Sequence, residues 1–191
     1  MGSKRKIGLG TGTPGQSYIR ELTESWEREF PGMDLENFLV AIYLLRLGRL
    51  VGDDNEHRSR TRFGISGSDM GLLFALRRAG KPYVRKAKEL YRAVLVTSGA
   101  VTKQVDRLAN LGLVQRIEDP RRRSGTLIQL TSKGIAVTTE ASELLIKKSS
   151  IAPGTENLSA SERASGRRFL EVILTALEPA RFGPNRRTSR K

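Results

Sequence analysis

Three consecutive arginines, Arg121, Arg122 and Arg123, stand between Asp119-Pro120 and Ser124-Gly125. Guanidinium groups keep their charge at any physiological pH and present forked donors that match phosphate and base edges, so the triplet suits a negatively charged target. A second polar set lies just upstream in SGAVTKQVDRLANLG, where Val101, Val105 and Leu108 recur at i, i+4 and i+7. Stepping 100° per residue from that apolar stripe puts Gly99, Lys103, Asp106, Arg107 and Asn110 on the opposite helix face, with Thr102 on the flank. Lys103 and Arg107 have donors for a guanine edge or a phosphate, and Ser98 and Thr102 serve either. The unsatisfied N–H groups at the helix start, near Thr97 and Ser98, also favour a phosphate. An amphipathic helix with a merely solvated face would share this pattern, so the elements around it must decide.

Other chemistries have little to work with. The chain has no cysteine, which excludes disulfides, thiolate metal sites and cysteine nucleophiles. Its one histidine, His57, lies in the polar stretch GDDNEHRSRTRF and reads as an exposed loop residue, so no metal site, catalytic residue or cofactor is expected. GTGTPGQS, Gly10 to Ser17, has the spacing of a phosphate-binding P-loop, but Gln16 stands where the phosphate-reaching lysine belongs and no strand-forming run precedes it. An enzyme would have to rest on that stretch alone.

Charge points the same way as the arginines. With 34 Lys+Arg against 20 Asp+Glu the formal net charge is +14 over 191 residues, which favours a polyanionic partner. No apolar run approaches the roughly 20 residues that cross a bilayer, and the basic start lacks a signal-peptide core, so no membrane role and a cytoplasmic location are expected.

The positioning elements follow from periodicity and punctuation. Residues 1–16 combine Lys4, Arg5 and Lys6 with five glycines and read as a flexible basic arm; residues 178–191 read as a second basic tail. Helical spacing runs from Ser17 to Phe30 and from Asp34 to Val51, followed by a charged connector from Gly52 to Phe63. The segment DLENFLVAIYLLRLGRLV is apolar almost all the way round, which one short chain does not cover, and a second subunit is the expected cover. A helix over GSDMGLLFALRRAG, a short helix over Lys86 to Val96 and the stripe-bearing helix ended by Gly112 come next. Leu113 to Glu118 and Thr126 to Thr131 are strand-like and joined by the arginine loop, giving a β-hairpin. The order helix, turn, helix, hairpin over residues 64–131 is that of a winged helix-turn-helix, with the arginines at the wing tip. Residues 132–177 supply two more helices; Ser159 and Glu162 have capping-box spacing, and Phe169, Leu170, Val172, Ile173, Leu174 and Leu177 again exceed one chain's needs. The expected fold is mainly α with a small β-hairpin wing, a winged helix-turn-helix domain plus terminal dimerisation helices at 17–51 and 132–177.

The stretch LVTSGAVTKQVDRLANLGLVQRIEDPRRRSGTLIQLTSKG resembles the MarR family of winged-helix transcriptional regulators. It matches the family pattern at Ser98, Gly99 and Thr102, at Leu108, Gly112, Leu113 and Val114, and at Arg116, Asp119, Pro120, Leu130, Thr131 and Gly134. The resemblance, from about Asp34 to Leu177, implies a homodimer that binds double-stranded DNA at a pseudo-palindromic operator, as a repressor relieved by a small aromatic or anionic effector. It implies DNA contacts by Thr97, Ser98, Gly99, Thr102, Lys103, Gln104, Arg107, Arg121, Arg122 and Arg123. Arg123 takes the place of the family's wing arginine, and Arg122 stands where the family usually has an aspartate. Trp26 and LRRAGKPYVRKAKELYRAVLVTSGAVT resemble the PecS-like, often urate-responsive branch, which implies ligand binding by Trp26. That branch's acidic ligand residue falls on Gly71 and its recognition-helix arginine on Gln104, which argues against urate itself. The competing expectation is an architectural DNA binder that relies on charge, with little sequence preference and no effector.

Overall fold

The computed structural model describes residues 14–94, 98–120 and 125–182. Its elements are α1 (Pro14–Glu29), α2 (Glu36–Phe63), α3 (Gly67–Arg77), β1 (Val84–Lys86), α4 (Ala87–Val94), α5 (Ser98–Asn110), β2 (Val114–Glu118), β3 (Thr126–Leu130), α6 (Ser132–Lys147), α7 (Ala152–Thr155) and α8 (Ala160–Phe182). The chain divides into two compact units, with the boundary between Leu50 and Val51.

Three expectations about the elements are corrected. Gly52 to Phe63 is not a connector: α2 continues through it. Polar composition hides a helix whose turns are laced by Asp54 with Arg58 and Glu56 with Arg60, both at i, i+4, a spacing that supports an isolated helix. β1 is a third strand, too short for the sequence to signal. The helices also reach into the stretches expected as arm and tail, since α1 begins at Pro14 and α8 runs to Phe182.

In the first unit α1 and the start of α2 meet through aromatic rings. Trp26 stacks on Phe30 at 5.8 Å between centroids and meets Phe38 edge-on at 4.8 Å. Thr23 Oγ1 hydrogen-bonds the Tyr43 hydroxyl, and the Arg46 guanidinium lies over the Tyr18 ring. Leu45, Leu47 and Leu50 of α2 remain exposed, Leu45 at 77%.

The second unit has its core where α3, α4, α5 and the sheet converge: Leu72, Leu73, Leu76, Leu90, Val101, Val105, Leu108, Ile128 and Leu130 are all buried. The antiparallel sheet has the order β1-β3-β2, with Val84 opposite Gln129 and Val114 opposite Leu130. Two glycines serve distinct purposes here. Gly112, at φ +69°, ends α5 in a Schellman turn, with Leu113 N–H donating to Leu108 O at 2.9 Å and Gly112 N–H to Ala109 O at 2.9 Å. Gly134, in the first turn of α6, leaves room for a neighbouring backbone: a Cβ there would lie 2.1 Å from Leu113 O.

α3 is capped twice at its start. Ser66 Oγ accepts from Asp69 N–H at 3.1 Å, and Glu56 Oε2 of α2 accepts from Gly67 N–H at 2.6 Å. The Gly67 amide, and after it Arg60, hold the Glu56 carboxyl below its ordinary value of 4.5. A depressed carboxylate stabilises the fold above its unfolded pKa, and the contribution disappears as pH falls through the folded value. Glu56→Gln should therefore melt below wild type at pH 7, and the gap should close as the buffer is taken below about pH 4. A gap that widens in acid would contradict this assignment.

Candidate nucleic-acid interface

α4 and α5 are the two helices of the helix-turn-helix; the segment between them, including Thr97, lies outside the described residues. Along α5 the inner face is Val101, Val105 and Leu108, all buried, and Gly99, Thr102, Lys103, Asp106, Arg107 and Asn110 are exposed. That division matches the 100° construction. A Cβ on Gly99 would meet nothing within 4 Å, so the start of α5 is open to close approach.

Gln104 departs from its expected place. It is only 6% exposed, and its Oε1 is buried without a hydrogen-bond partner. It follows Val101 by three residues and precedes Leu108 by four, so helix geometry draws it beside the apolar stripe instead of outward. Its side chain is withdrawn from the face that Thr102 and Lys103 occupy.

Arg107 is exposed on that face but engaged. Its Nε donates to Asp69 Oδ2 at 2.9 Å and its Nη2 to Asp69 Oδ1 at 2.5 Å, a bidentate pair across 38 residues of sequence. Asp69, on α3, is 1% exposed. The paired hydrogen bond with Asp69 raises the Arg107 pKa, against the opposing effect of burial. Spacing alone places Arg107 on this face and gives no sign of Asp69.

Further pairings tie the wing to the helices. Arg116 Nη2 of β2 donates to Asp106 Oδ1 of α5 at 2.5 Å. Lys86 Nζ of β1 lies 3.2 Å from Asp119 Oδ2, whose side chain is nearly buried, and Asp119 N–H donates to Gly125 O at 2.7 Å to close the base of the hairpin. Arg121, Arg122 and Arg123, predicted at the tip, lie outside the described residues. What the structure gives is the anchored base on either side of them.

The second unit also contains two cavities. One, of about 530 Å³, lies among α2, α3 and α6 and is lined by Asn55, Arg58, Phe63, Met70, Gly71 and Leu144 among others. The other, of about 670 Å³, runs along α3, α4 and α6, and the two share Gly67, Gly71, Phe74 and Leu145. A Cβ at Gly71 would meet nothing within 4 Å, so the missing side chain is open space. The arginines at the first cavity are already engaged: Arg58 with Asp54 at 2.6 Å and Lys148 O at 2.9 Å, Arg62 with Glu140 at 2.6 Å. Every residue lining the two cavities falls between 55 and 146, whereas Trp26 belongs to the aromatic cluster of the first unit. Among the described residues no His, Cys, Asp and Glu group could hold a metal ion, and no helix is long and apolar enough to cross a membrane.

A helix-turn-helix followed by an anchored three-stranded wing defines a winged-helix protein. The MarR family pattern matches residues 63–123, which run from the end of α2 through the helix-turn-helix into the wing. The chain is 28% identical over 119 residues to the transcriptional regulator PecS of Dickeya dadantii, covering 62% of this chain and 71% of that protein. Among solved structures, an Escherichia coli MarR variant complexed with operator DNA is 28% identical with a TM-score of 0.57, over 74% of this chain and 99% of that one. Sco3205 of Streptomyces coelicolor, solved in complex with DNA, shares the fold at a TM-score of 0.67 and 20% identity, over 77% and 91% of the two chains. The chain has a winged-helix fold and is similar, from the end of α2 into the wing, to transcriptional regulators of the MarR family.

Proposed function

We propose that this protein is a homodimeric, sequence-specific DNA-binding transcriptional regulator, acting as a repressor at a pseudo-palindromic operator and relieved by a small aromatic or anionic ligand. The observation that carries the reading is α5: an exposed face of Gly99, Thr102 and Lys103, braced behind by Asp69–Arg107 and Asp106–Arg116. In a winged helix that face enters the major groove, where Thr102 and Lys103 reach base edges or phosphates. Ser98 and the wing arginines Arg121, Arg122 and Arg123 complete the proposed contact surface, with Arg123 in the groove and the others on the backbone.

Dimerisation is supported by what one chain leaves uncovered: Leu45 on α2, and Phe169, Val172, Leu174 and Leu177 on α8. Monomers rarely expose contiguous apolar bands of this kind. The ligand reading is supported by the cavities around Gly71, walled by Met70 and Phe74 of the helix that also carries Asp69. The PecS relative supports the branch assignment, while Gly71 and the buried Gln104 argue against urate as the ligand.

The net charge of +14 favours the second reading, an architectural binder of any duplex. Enrichment from a random-sequence duplex pool separates the two. The regulator should select an inverted repeat with half-sites about one helical turn apart, roughly 34 Å, and hold it about a thousandfold more tightly than random duplex. No enriched sequence, with equal affinity for all duplexes, would leave the architectural reading standing.

A further inference from the structure

We infer that Asp69 is a positioning residue for DNA recognition, and that Arg107 serves as the strut it holds and not as a contact to the duplex. The inference rests on the DNA-binding reading above and deepens it. Arg107 belongs to the outer face of α5 by spacing and exposure, so sequence reasoning assigns it to base or phosphate. The structure gives its guanidinium another occupation. Two parallel N–H donors, Nε and Nη2, are spent on the two oxygens of one carboxylate at 2.9 and 2.5 Å. That carboxylate is buried and comes from the first turn of α3, whose start is fixed by Ser66 and by Glu56 of α2.

A fork-to-fork pair fixes orientation as well as distance, because both donor vectors must align with both acceptors. It therefore sets the rotation of α5 about its own axis relative to α3. The Arg116–Asp106 bond sets the same helix against β2 one residue earlier in the chain. The two ion pairs, from Asp106 and Arg107, grip α5 from two elements, leaving Gly99, Thr102 and Lys103 of the preceding turns to present to the groove. Withdrawing Arg107 has a second effect: a cation that would bind any phosphate is neutralised at the reading surface, which suppresses sequence-independent affinity.

The consequence separates this role from simple electrostatics. Asp69→Asn removes a negative charge near the DNA face and frees a cation, so charge alone would tighten binding to every duplex. The positioning role predicts a split. Affinity for a duplex selected by the wild-type protein should fall about tenfold or more, because α5 loses its aim and base contacts depend on it. Affinity for random duplex should hold or rise, and its salt slope should steepen by up to about 0.9 for each phosphate contact that Arg107 gains. Arg107→Lys guards against a variant that fails to fold: lysine keeps the charge but lacks the fork, so it should lose the same preference for the selected duplex.

Both duplexes tightening together in Asp69→Asn would reduce Asp69 to an electrostatic brake and overturn the proposal. So would Arg107→Lys binding the selected duplex as wild type does while Arg107→Ala weakens it, the signature of a direct cationic contact. A wild-type protein that selects no sequence at all would instead strike the regulator reading, before either variant is made.

Discussion

Gly134→Ala should destabilise the winged-helix unit by about 3 kcal/mol and lower the melting midpoint by about 10 °C, the upper end of overpacking costs in a domain of this size. The sign is the informative part. In an ordinary helix interior, replacing glycine by alanine stabilises by up to about 1 kcal/mol, because glycine forfeits more backbone entropy. At Gly134 the added Cβ would sit 2.1 Å from Leu113 O and 3.2 Å from Leu130 Cδ2. The carbonyl has nowhere to go: it accepts from Thr131 N–H at 3.1 Å, and Thr131 Oγ1 in turn donates to Gly112 O at 2.6 Å and accepts from Gly134 N–H at 3.1 Å. The clash thus bears on the Schellman turn that ends α5, the register of β2 and the cap of α6 at once. Gly52 of α2 is the matched control, since a Cβ there meets nothing within 4 Å, and Gly52→Ala should hold or raise the midpoint. If thermal denaturation showed the two alanines shifting the midpoint alike, the close approach at Gly134 would be refuted.

Gly134 also shows what a sequence discloses and what it hides. The matches at Gly112, Leu113, Thr131 and Gly134 were legible as a pattern, but their reason is a single knot of backbone that brings residues about twenty apart in sequence into contact. Local signals fared well wherever the cause was local. The stripe of Val101, Val105 and Leu108 became the buried face of α5, Gly112 ended that helix, and Ser159 and Glu162 exchange both capping hydrogen bonds at 2.8 and 3.2 Å. They failed where the cause was not. β1 is three residues long and exists because β3 offers it an edge, a partner more than forty residues away. The polar run after Gly52 resembles a connector because its helix is held by ion pairs instead of an apolar stripe. At the interface, the outer face of α5 was placed correctly by periodicity, yet periodicity could not show that Arg107 is claimed by Asp69 or that Gln104 leans inward. Both facts depend on what α3 and the core put beside α5.

On the proposed dimeric reading, Leu174→Glu should yield a 21.2 kDa monomer in sedimentation, and it should weaken binding to a selected operator by about a hundredfold or more, the range over which linked half-site binding exceeds single binding. Leu170, Leu174 and Leu177 recur at i, i+4 and i+7 on α8, with Phe169 and Val172 beside them, and Leu174 and Leu177 are 54% and 63% exposed in the single chain. Were α8 a solvated helix, one more glutamate on it would change stability by no more than about 0.5 kcal/mol. Were it paired with a second copy, the carboxylate would be buried against apolar neighbours with no partner, a cost of several kcal/mol that separation of the chains relieves. Symmetry doubles the effect, because an isologous interface places the substitution on both sides of the axis. Leu45 on α2, 77% exposed, belongs to the same class of uncovered side chain and provides a second site for the same substitution. Wild-type melting should also depend on protein concentration, as it does when association and folding are linked, and Leu174→Glu should abolish that dependence. A Leu174→Glu protein that sediments as the wild type does and keeps its operator affinity would remove α8 from the dimer interface.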